Sequence, residues 1–393
     1  MTSTSTSRTA GVAILGGGLA GQRCAETLRR HGYDGAIRIV CAEAHRPYDR
    51  PPLSKRALRE PADVGALAFR PLAWYQEHAV ELLLGASATE LRPRERAARL
   101  SDGRTLRFDW ALIATGSRPR PLPALAGREN VSTLRDFEDC QALREALAQP
   151  TRLAVIGAGF VGQEVAATAR GLGAEVTLIE AGPCPLAAIL GEGLGGWFSR
   201  LHRDEGVRVL CGVTVRRVRG RPRVRELELS DGRRVEVDHV VVGVGVTPAT
   251  SWLRGSGLLS DGGVPVDEHG RSRFARVLAA GDAAAAYDPR RGRHVPGAHW
   301  ETAARQGARA AQVMLGRELG PPPISSFWSD QYGIRIQYVG HARLGERIVL
   351  DGDPETRSFT ATFTRSGRPV AALLIDRPRE LAPIRDLIEK GES

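Results

Sequence analysis

Two stretches of this chain repeat one another: GVAILGGGLAGQRCAETLRR, running on to IRIVCAE, is answered by RLAVIGAGFVGQEVAATARGLGAEVTLIE. Each reads as an apolar strand, a glycine-rich turn, a helix and a second strand, the grammar of a parallel βαβ unit. In the first, residues 12–15 form the strand and Gly16, Gly18 and Gly21 the GxGxxG turn. Ala20, Cys24, Thr27 and Leu28 give the next helix a buried face, and a strand over 37–41 leads to Glu43. In the second, 153–156 runs into Gly157, Gly159 and Gly162, with Phe160 and Val161 between them, and a strand over 176–179 ends at Glu180. The glycines serve separate needs: a tight turn, close approach of the backbone to a pyrophosphate, and a helix packed hard on its sheet. The helix N-terminus then offers unpaired N–H groups to the anion. Glu43 and Glu180 are placed to accept hydrogen bonds from a ribose. A carboxylate there repels a 2′-phosphate, and Ala181 and Gly182 supply no compensating arginine, so the second turn is expected to prefer NADH to NADPH. The fold class expected is α/β, with two Rossmann-like dinucleotide-binding domains.

The breaks between periodic segments organise the rest. A strand over 110–114 stops at Thr115-Gly116 and runs into the proline-rich SRPRPLP, and a matching strand over 240–246, containing Gly245, stops at Thr247-Pro248. The second repeat therefore sits in an inserted domain. The chain re-enters the first domain with a strand over 277–280, which ends in Gly281-Asp282, and an alanine-rich helix over 302–315. An aspartate at that strand end can bind a ribityl hydroxyl, a group that only a flavin dinucleotide has. With RPYDRPPLSK at 46–55, this assigns FAD to the first turn and NAD(H) to the second. The expected plan is a disordered tail over 1–10, an FAD domain over 11–116 and 247–320, and an NAD domain over 117–246. PPP at 321–323 opens a small C-terminal α+β domain over 321–393, with strands at 334–339, 347–350, 359–363 and 370–375 and a terminal helix.

Charge and cysteine usage narrow the function classes. The formal net charge is +10, and the only lysines are Lys55 and Lys390. An arginine-rich solvated surface and a docking face for an acidic partner both account for this. No basic run interleaved with aromatics supports nucleic-acid binding. MTSTSTSRTA does not read as a signal peptide, and no apolar run reaches the roughly 18 residues of a membrane span, so a cytoplasmic protein is expected. The five cysteines form no CxxC and the nine histidines no metal-like pairing, so neither dithiol chemistry nor a metal is expected. Lys55 stands out in a chain that otherwise writes its cations as arginine, which suggests a need for a compact point charge. It could pair with Glu164, one turn into the second helix.

The order GGGLAG, RPYDRPPLSK, ATGSRP, GAGFVGQE, GVGVTP, LAAGD, HWETA and FWSDQYG covers nearly the whole chain. It resembles the FAD-dependent, NADH-linked ferredoxin reductases of oxygenase systems, the putidaredoxin and rubredoxin reductases among them. The resemblance implies hydride transfer from nicotinamide to flavin, and release of single electrons to a small acidic iron-sulfur ferredoxin of the [2Fe-2S] type. It also implies FAD contacts from Ala20, Glu43, Arg50, Lys55, Ala88, Arg135, Asp282 and Trp300, and Thr115, Gly116 and Gly245 at the strand ends are expected among the cofactor-binding residues. Arg50 and Arg135 would face phosphate or neighbouring polar atoms, and Ala88 the adenine side. Glu164 would lie beside the nicotinamide, making Lys55 and Glu164 the catalytic pair, and Trp328 could pack near the flavin. A neighbouring family of single-cysteine NADH oxidases carries its redox thiol after a Leu-Ser, where this chain has Lys55 after Leu53-Ser54. Two other readings stay open: an NADH oxidase or dehydrogenase using oxygen, a quinone or another small acceptor, and an NADH-sensing redox interaction protein.

Overall fold

The computed structural model describes residues 10–391 apart from Asp261, 289–291 and Ala298. Of the tail expected over 1–10, only Ala10 falls among the described residues. The chain divides into two compact units, each assembled from three separate stretches.

The first unit comprises Met1–Asp49, Asp63–Arg118 and Thr247–Pro323. Its centre is a parallel sheet in the order Val277–Ala279, Trp110–Ile113, Val12–Leu15, Ile37–Cys41, Val80–Leu84. These strands read as unbroken apolar runs because both faces are covered, as parallel sheets require. On one face Val12, Ile14, Ile37 and Ile39 pack with Ala25 and Leu28 of the helix Leu19–Arg30 and with Ala310 and Ala311 of the helix Trp300–Met314. On the other, Leu15, Val40 and Ile113 meet Leu91 and Ala98, which belong to a three-stranded antiparallel sheet. The two helices approach closely: a Cβ on Gly307 would lie 2.1 Å from the Ala20 carbonyl oxygen, so that crossing needs glycine.

The second unit comprises Arg50–Ala62, Pro119–Val246 and Ile324–Ser393. A second parallel sheet runs in the order Arg208–Cys211, Glu175–Glu180, Arg152–Ile156, His239–Val242, Val131–Ser132. The C-terminal part is a five-stranded antiparallel sheet, ordered Ser326–Gln331, Ile334–Gly340, Arg368–Ile375, Ser358–Arg365, Arg347–Asp353. One face of it buries Phe327, Ile336, Phe359 and Leu373 against Leu190, Leu194, Trp197 and Leu201 of the helix Ala187–Asp204. The other face takes Ile388 of the terminal helix Leu381–Gly391.

Residues 324–393, set apart in the plan read off the sequence, group with 119–246 in one compact unit, and three further features differ from that plan. Residues 50–62 group with the second unit, because Leu53 and Ser54 offer their carbonyls to Cys140 Sγ (3.2 Å) and Thr168 Oγ1 (2.7 Å) there. The strand expected over 240–246 ends at Val242; Gly243 then passes behind the second glycine turn, and Gly245 has φ +100°. Ser326–Gln331 is a strand with no counterpart in the expected set, its polar residues Ser329 and Gln331 being buried rather than exposed.

Candidate functional site

The three glycines of each turn divide their roles as the motif requires. A Cβ on Gly16 (φ +132°) would sit 2.0 Å from the Ala114 carbonyl oxygen, and one on Gly157 (φ +101°) 2.4 Å from that of Gly243. Gly21 and Gly162 close helix onto strand, where a Cβ would lie 2.2 Å from the Gly16 oxygen and 2.0 Å from the Gly157 oxygen. Gly18 and Gly159 face open space, with nothing within 4 Å of a Cβ. Among the described residues nothing demands glycine at these two, so the demand comes from outside, as it does where a pyrophosphate meets the backbone. Each is the N-cap of its helix, without a side-chain cap and without an acidic residue in the first turn. The positive ends of both helices are thereby left to an anion.

In the first unit these elements bring most of the expected flavin residues together. Ala20 packs its methyl toward Gly281 at the end of strand Val277–Ala279, and the Gly281 N–H donates to Gln306 Oε1 (2.8 Å). Asp282, next along, accepts from Ser117 Oγ (2.6 Å). Thr115 Oγ1 donates to the Ala249 carbonyl (2.9 Å), whose own N–H donates to Gly116 O (2.9 Å) across a left-handed glycine (φ +70°). Glu43 accepts from the Tyr48 hydroxyl (2.5 Å), and Trp300 Nε1 donates to Asp49 Oδ1 (2.7 Å). Ala88 opens the strand Ala88–Arg92 against the core beneath Leu15. Arg50, Lys55 and Arg135 belong to the second unit, where Arg50 donates to the Arg135 carbonyl (2.5 Å).

In the second unit the turn's middle residue is held at both ends. Ala158 N–H donates to Glu180 Oε2 (2.6 Å), whose other oxygen accepts from Gly182 N (2.7 Å), and the Ala158 carbonyl accepts from Gln163 Nε2 (3.0 Å). The Phe160 ring lies against Phe327 (centroids 4.3 Å apart), so what Phe160 offers a ligand at the turn is its backbone N–H; Val161 is exposed. Two residues past the third glycine, Glu164 is buried and meets three donors: Ser54 Oγ (2.5 Å), Lys55 Nζ (2.6 Å) and Ser329 Oγ (2.6 Å). With side-chain exposures of 13% and 7%, the Lys55–Glu164 pair is nearly dry, and removing one partner from such a pair costs about 3–5 kcal/mol.

Sequence reading missed Ser54, Ser329, Gln163 and His202. One signal was present: a glutamine follows the third glycine in both repeats, Gln22 and Gln163, and both are fully buried. Another was His202, which lies on the apolar stripe of Leu194, Trp197, Phe198 and Leu201. The cysteines fit no redox role. Burial pushes all five thiols up, Cys41 to about 12 and Cys140 to about 11, so they are not thiolates at neutral pH. Among the described residues, no group of three His, Cys, Asp or Glu could hold a metal ion.

The family model described as pyridine nucleotide-disulphide oxidoreductase matches residues 10–307, and the model described as reductase C-terminal matches 326–393. The chain is 37% identical over 384 residues to the ferredoxin reductase component of chlorobenzene dioxygenase from Cupriavidus sp. (strain PS12), covering 96% of this chain and 92% of that protein. It is 36% identical, with the same coverage, to the ferredoxin–NAD(+) reductase subunit of the benzene 1,2-dioxygenase system of Pseudomonas putida. Putidaredoxin reductase, in the crystal structure of its covalent complex with putidaredoxin, superposes with a TM-score of 0.92 at 32% identity, covering 96% of this chain and 92% of that one. The two open glycine turns fit two dinucleotides, and the cofactors are FAD and NAD(H). This chain belongs to the pyridine nucleotide-disulphide oxidoreductase family.

Proposed function

We propose that the protein takes hydride from NADH onto FAD and hands single electrons to a small [2Fe-2S] ferredoxin that serves an oxygenase. The observation that carries this reading is the second open turn. It joins an uncapped helix N-terminus, Glu180 at the ribose end, and the buried Lys55–Glu164 pair two residues past the last glycine. Relatives named as ferredoxin reductase components of dioxygenase systems support it. When bound, FAD supplies the ability to accept electrons as a pair and release them singly.

The chain's own residues have simpler tasks. Gly16, Gly18 and Gly21 with their helix end, Glu43, Thr115, Gly116 and the Ser117-held Asp282 would bind FAD. The resemblance adds Ala20, Ala88, Trp300, Arg50, Arg135 and Lys55. Gly157, Gly159, Gly162, the N–H groups of Phe160 and Val161, Glu180 and Gly245 would bind NADH. Glu164, which accepts from three donors, would orient the nicotinamide with Lys55 as its counter-charge. Arginine-rich surface charge suits an acidic ferredoxin. The reading places the protein in the cytoplasm; no helix among the described residues is long and apolar enough to cross a membrane.

The test is anaerobic mixing of the flavin-loaded protein with NADH, followed by turnover with a [2Fe-2S] ferredoxin or with oxygen alone. Bleaching of the flavin and a strong preference for the ferredoxin are expected. A flavin that NADH does not bleach sinks the hydride step. Equal rates with oxygen assign the protein to the oxidase reading instead.

A further inference from the structure

The buried hydrogen bonds behind the second glycine turn form a directed chain that starts in the C-terminal sheet. Ala158 O can only accept, so the Gln163 atom facing it (3.0 Å) is the amide NH2, and Gln163 Oε1 must point the other way. There it lies 3.2 Å from His202 Nε2, which must therefore carry the ring proton. His202 Nδ1 is left as an acceptor, and the Tyr332 hydroxyl donates to it at 2.7 Å. Every bond in Tyr332→His202→Gln163→Ala158 has one permitted direction. Gln163 and His202 are fully buried, and burial pushes the imidazole down to about 4, so it stays neutral at working pH.

Tyr332 is held as firmly as its partners. It is the first residue of the two-residue turn joining Ser326–Gln331 to Ile334–Gly340, with φ +52° followed by Gly333 at +78°, the positive-φ pair of a tight hairpin. Three residues earlier the same hairpin carries Ser329, which donates to Glu164, the neighbour of Gln163. One hairpin thus reaches two consecutive residues of the turn helix.

We propose that the Ser329–Tyr332 hairpin end is a positioning element of the NADH site, setting the place of the Ala158 peptide, and with it NADH affinity, through His202 and Gln163. Removing the phenol hydroxyl leaves the Nδ1 lone pair of His202 buried without a donor and takes away the bond that anchors the ring. The imidazole, still donating through Nε2 to Gln163 Oε1, settles away from its present place and Gln163 follows it. The Ala158 carbonyl then loses the fixed donor behind it, and the turn shifts. The effect belongs to binding of the pyrophosphate and not to the later electron steps.

This rests on the reading that the second turn binds NADH, and the two fail differently. If the unaltered holoprotein neither is reduced by NADH nor binds ADP-ribose, that reading fails. The inference is tested with Tyr332→Phe and Gln163→Leu, measuring KM for NADH, kcat with excess acceptor, and the inhibition constant of ADP-ribose. Tyr338→Phe is the control, since it removes a buried phenol of the same sheet that accepts from the Ala342 N–H. Both test variants are expected to raise KM and the ADP-ribose constant together about five- to tenfold, with kcat within about twofold. Tyr338→Phe should lower the melting temperature and leave both constants alone. If Tyr332→Phe folds poorly, Gln163→Leu carries the same expectation from the other end of the chain. Unchanged constants in a folded variant, or an equal rise in Tyr338→Phe, overturn the proposal.

Discussion

The two glycine turns share a grammar and differ in their wiring. The residue after the third glycine is a buried glutamine in each, but Gln22 donates along its own helix to Glu26 (3.0 Å) and accepts from Tyr75 (2.6 Å). Glu26 in turn is paired with Arg23 and Arg70. Gln163 donates back to its own turn and is tied through His202 to a hairpin more than 100 residues away. The next position is Arg23 in one repeat and the thrice-bonded Glu164 in the other. A common motif thus specifies the anion cradle, while the neighbouring polar residues decide what can adjust it. The first turn is braced within its unit's own α/β layers, the second from the C-terminal sheet.

The sharpest way to break this comparison is to put a methyl on each class of glycine. Gly162→Ala drives a Cβ to 2.0 Å from the Gly157 oxygen and should cost about 3 kcal/mol or more of stability, read by denaturant unfolding. Gly159→Ala meets nothing and should keep the melting temperature while raising KM for NADH about tenfold. Gly18→Ala should do the same to flavin content. A Gly159→Ala protein with unchanged KM would remove the pyrophosphate from that turn.

Acid should act on the second unit through its histidines. Burial holds His202 and His239 near 4, against about 6.5 for an unfolded imidazole. Between those values the unfolded chain binds more protons than the folded one. The stability these rings allow is therefore complete above pH ~6.5 and is lost as pH falls toward 4, by up to about 3 kcal/mol each. Denaturant midpoints across that range check this, and a His202→Gln, His239→Gln double variant should flatten the slope.

Glu164→Gln leaves Lys55 without its counter-charge and should slow flavin reduction on the order of tenfold or more, with flavin content retained, seen by stopped-flow absorbance. If reduction keeps its full rate, the pair is structural. The smallest effect is expected at Glu180. Glu180→Gln keeps an acceptor for Ala158 N–H but loses the charge, so discrimination against NADPH should fall about tenfold in kcat/KM, roughly 1.4 kcal/mol.

What the sequence showed and what it hid follow from range. The strand Val12–Leu15, both turns, the strand Glu175–Glu180 and the return through Val277–Ala279 were legible because local periodicity and glycine spacing encode them. Lys55 and Glu164 were legible as a pair through their charge, and they lie 2.6 Å apart. Ser329 and Tyr332 were not, since a hydroxyl in a strand or turn carries no spacing signal for a partner on a distant helix. The strand end near 242 was overrun because valines continue to Val246, and only the glycines at 243 and 245 marked the break. Residues 50–62 were misgrouped because chain order suggested continuity, whereas the hydrogen bonds from Cys140 and Thr168 decide where they belong.

The division of each unit into three separate stretches also sets a timetable for synthesis. The first sheet has an open edge at Trp110–Ile113 until Val277–Ala279 emerges from the ribosome, and Trp197 waits for Phe359. Neither unit can close before most of the chain exists. Such late, long-range pairing is slow and leaves apolar edges bare in the meantime. Expression at low temperature with riboflavin supplied is therefore the condition under which this chain should reach its finished form in highest yield.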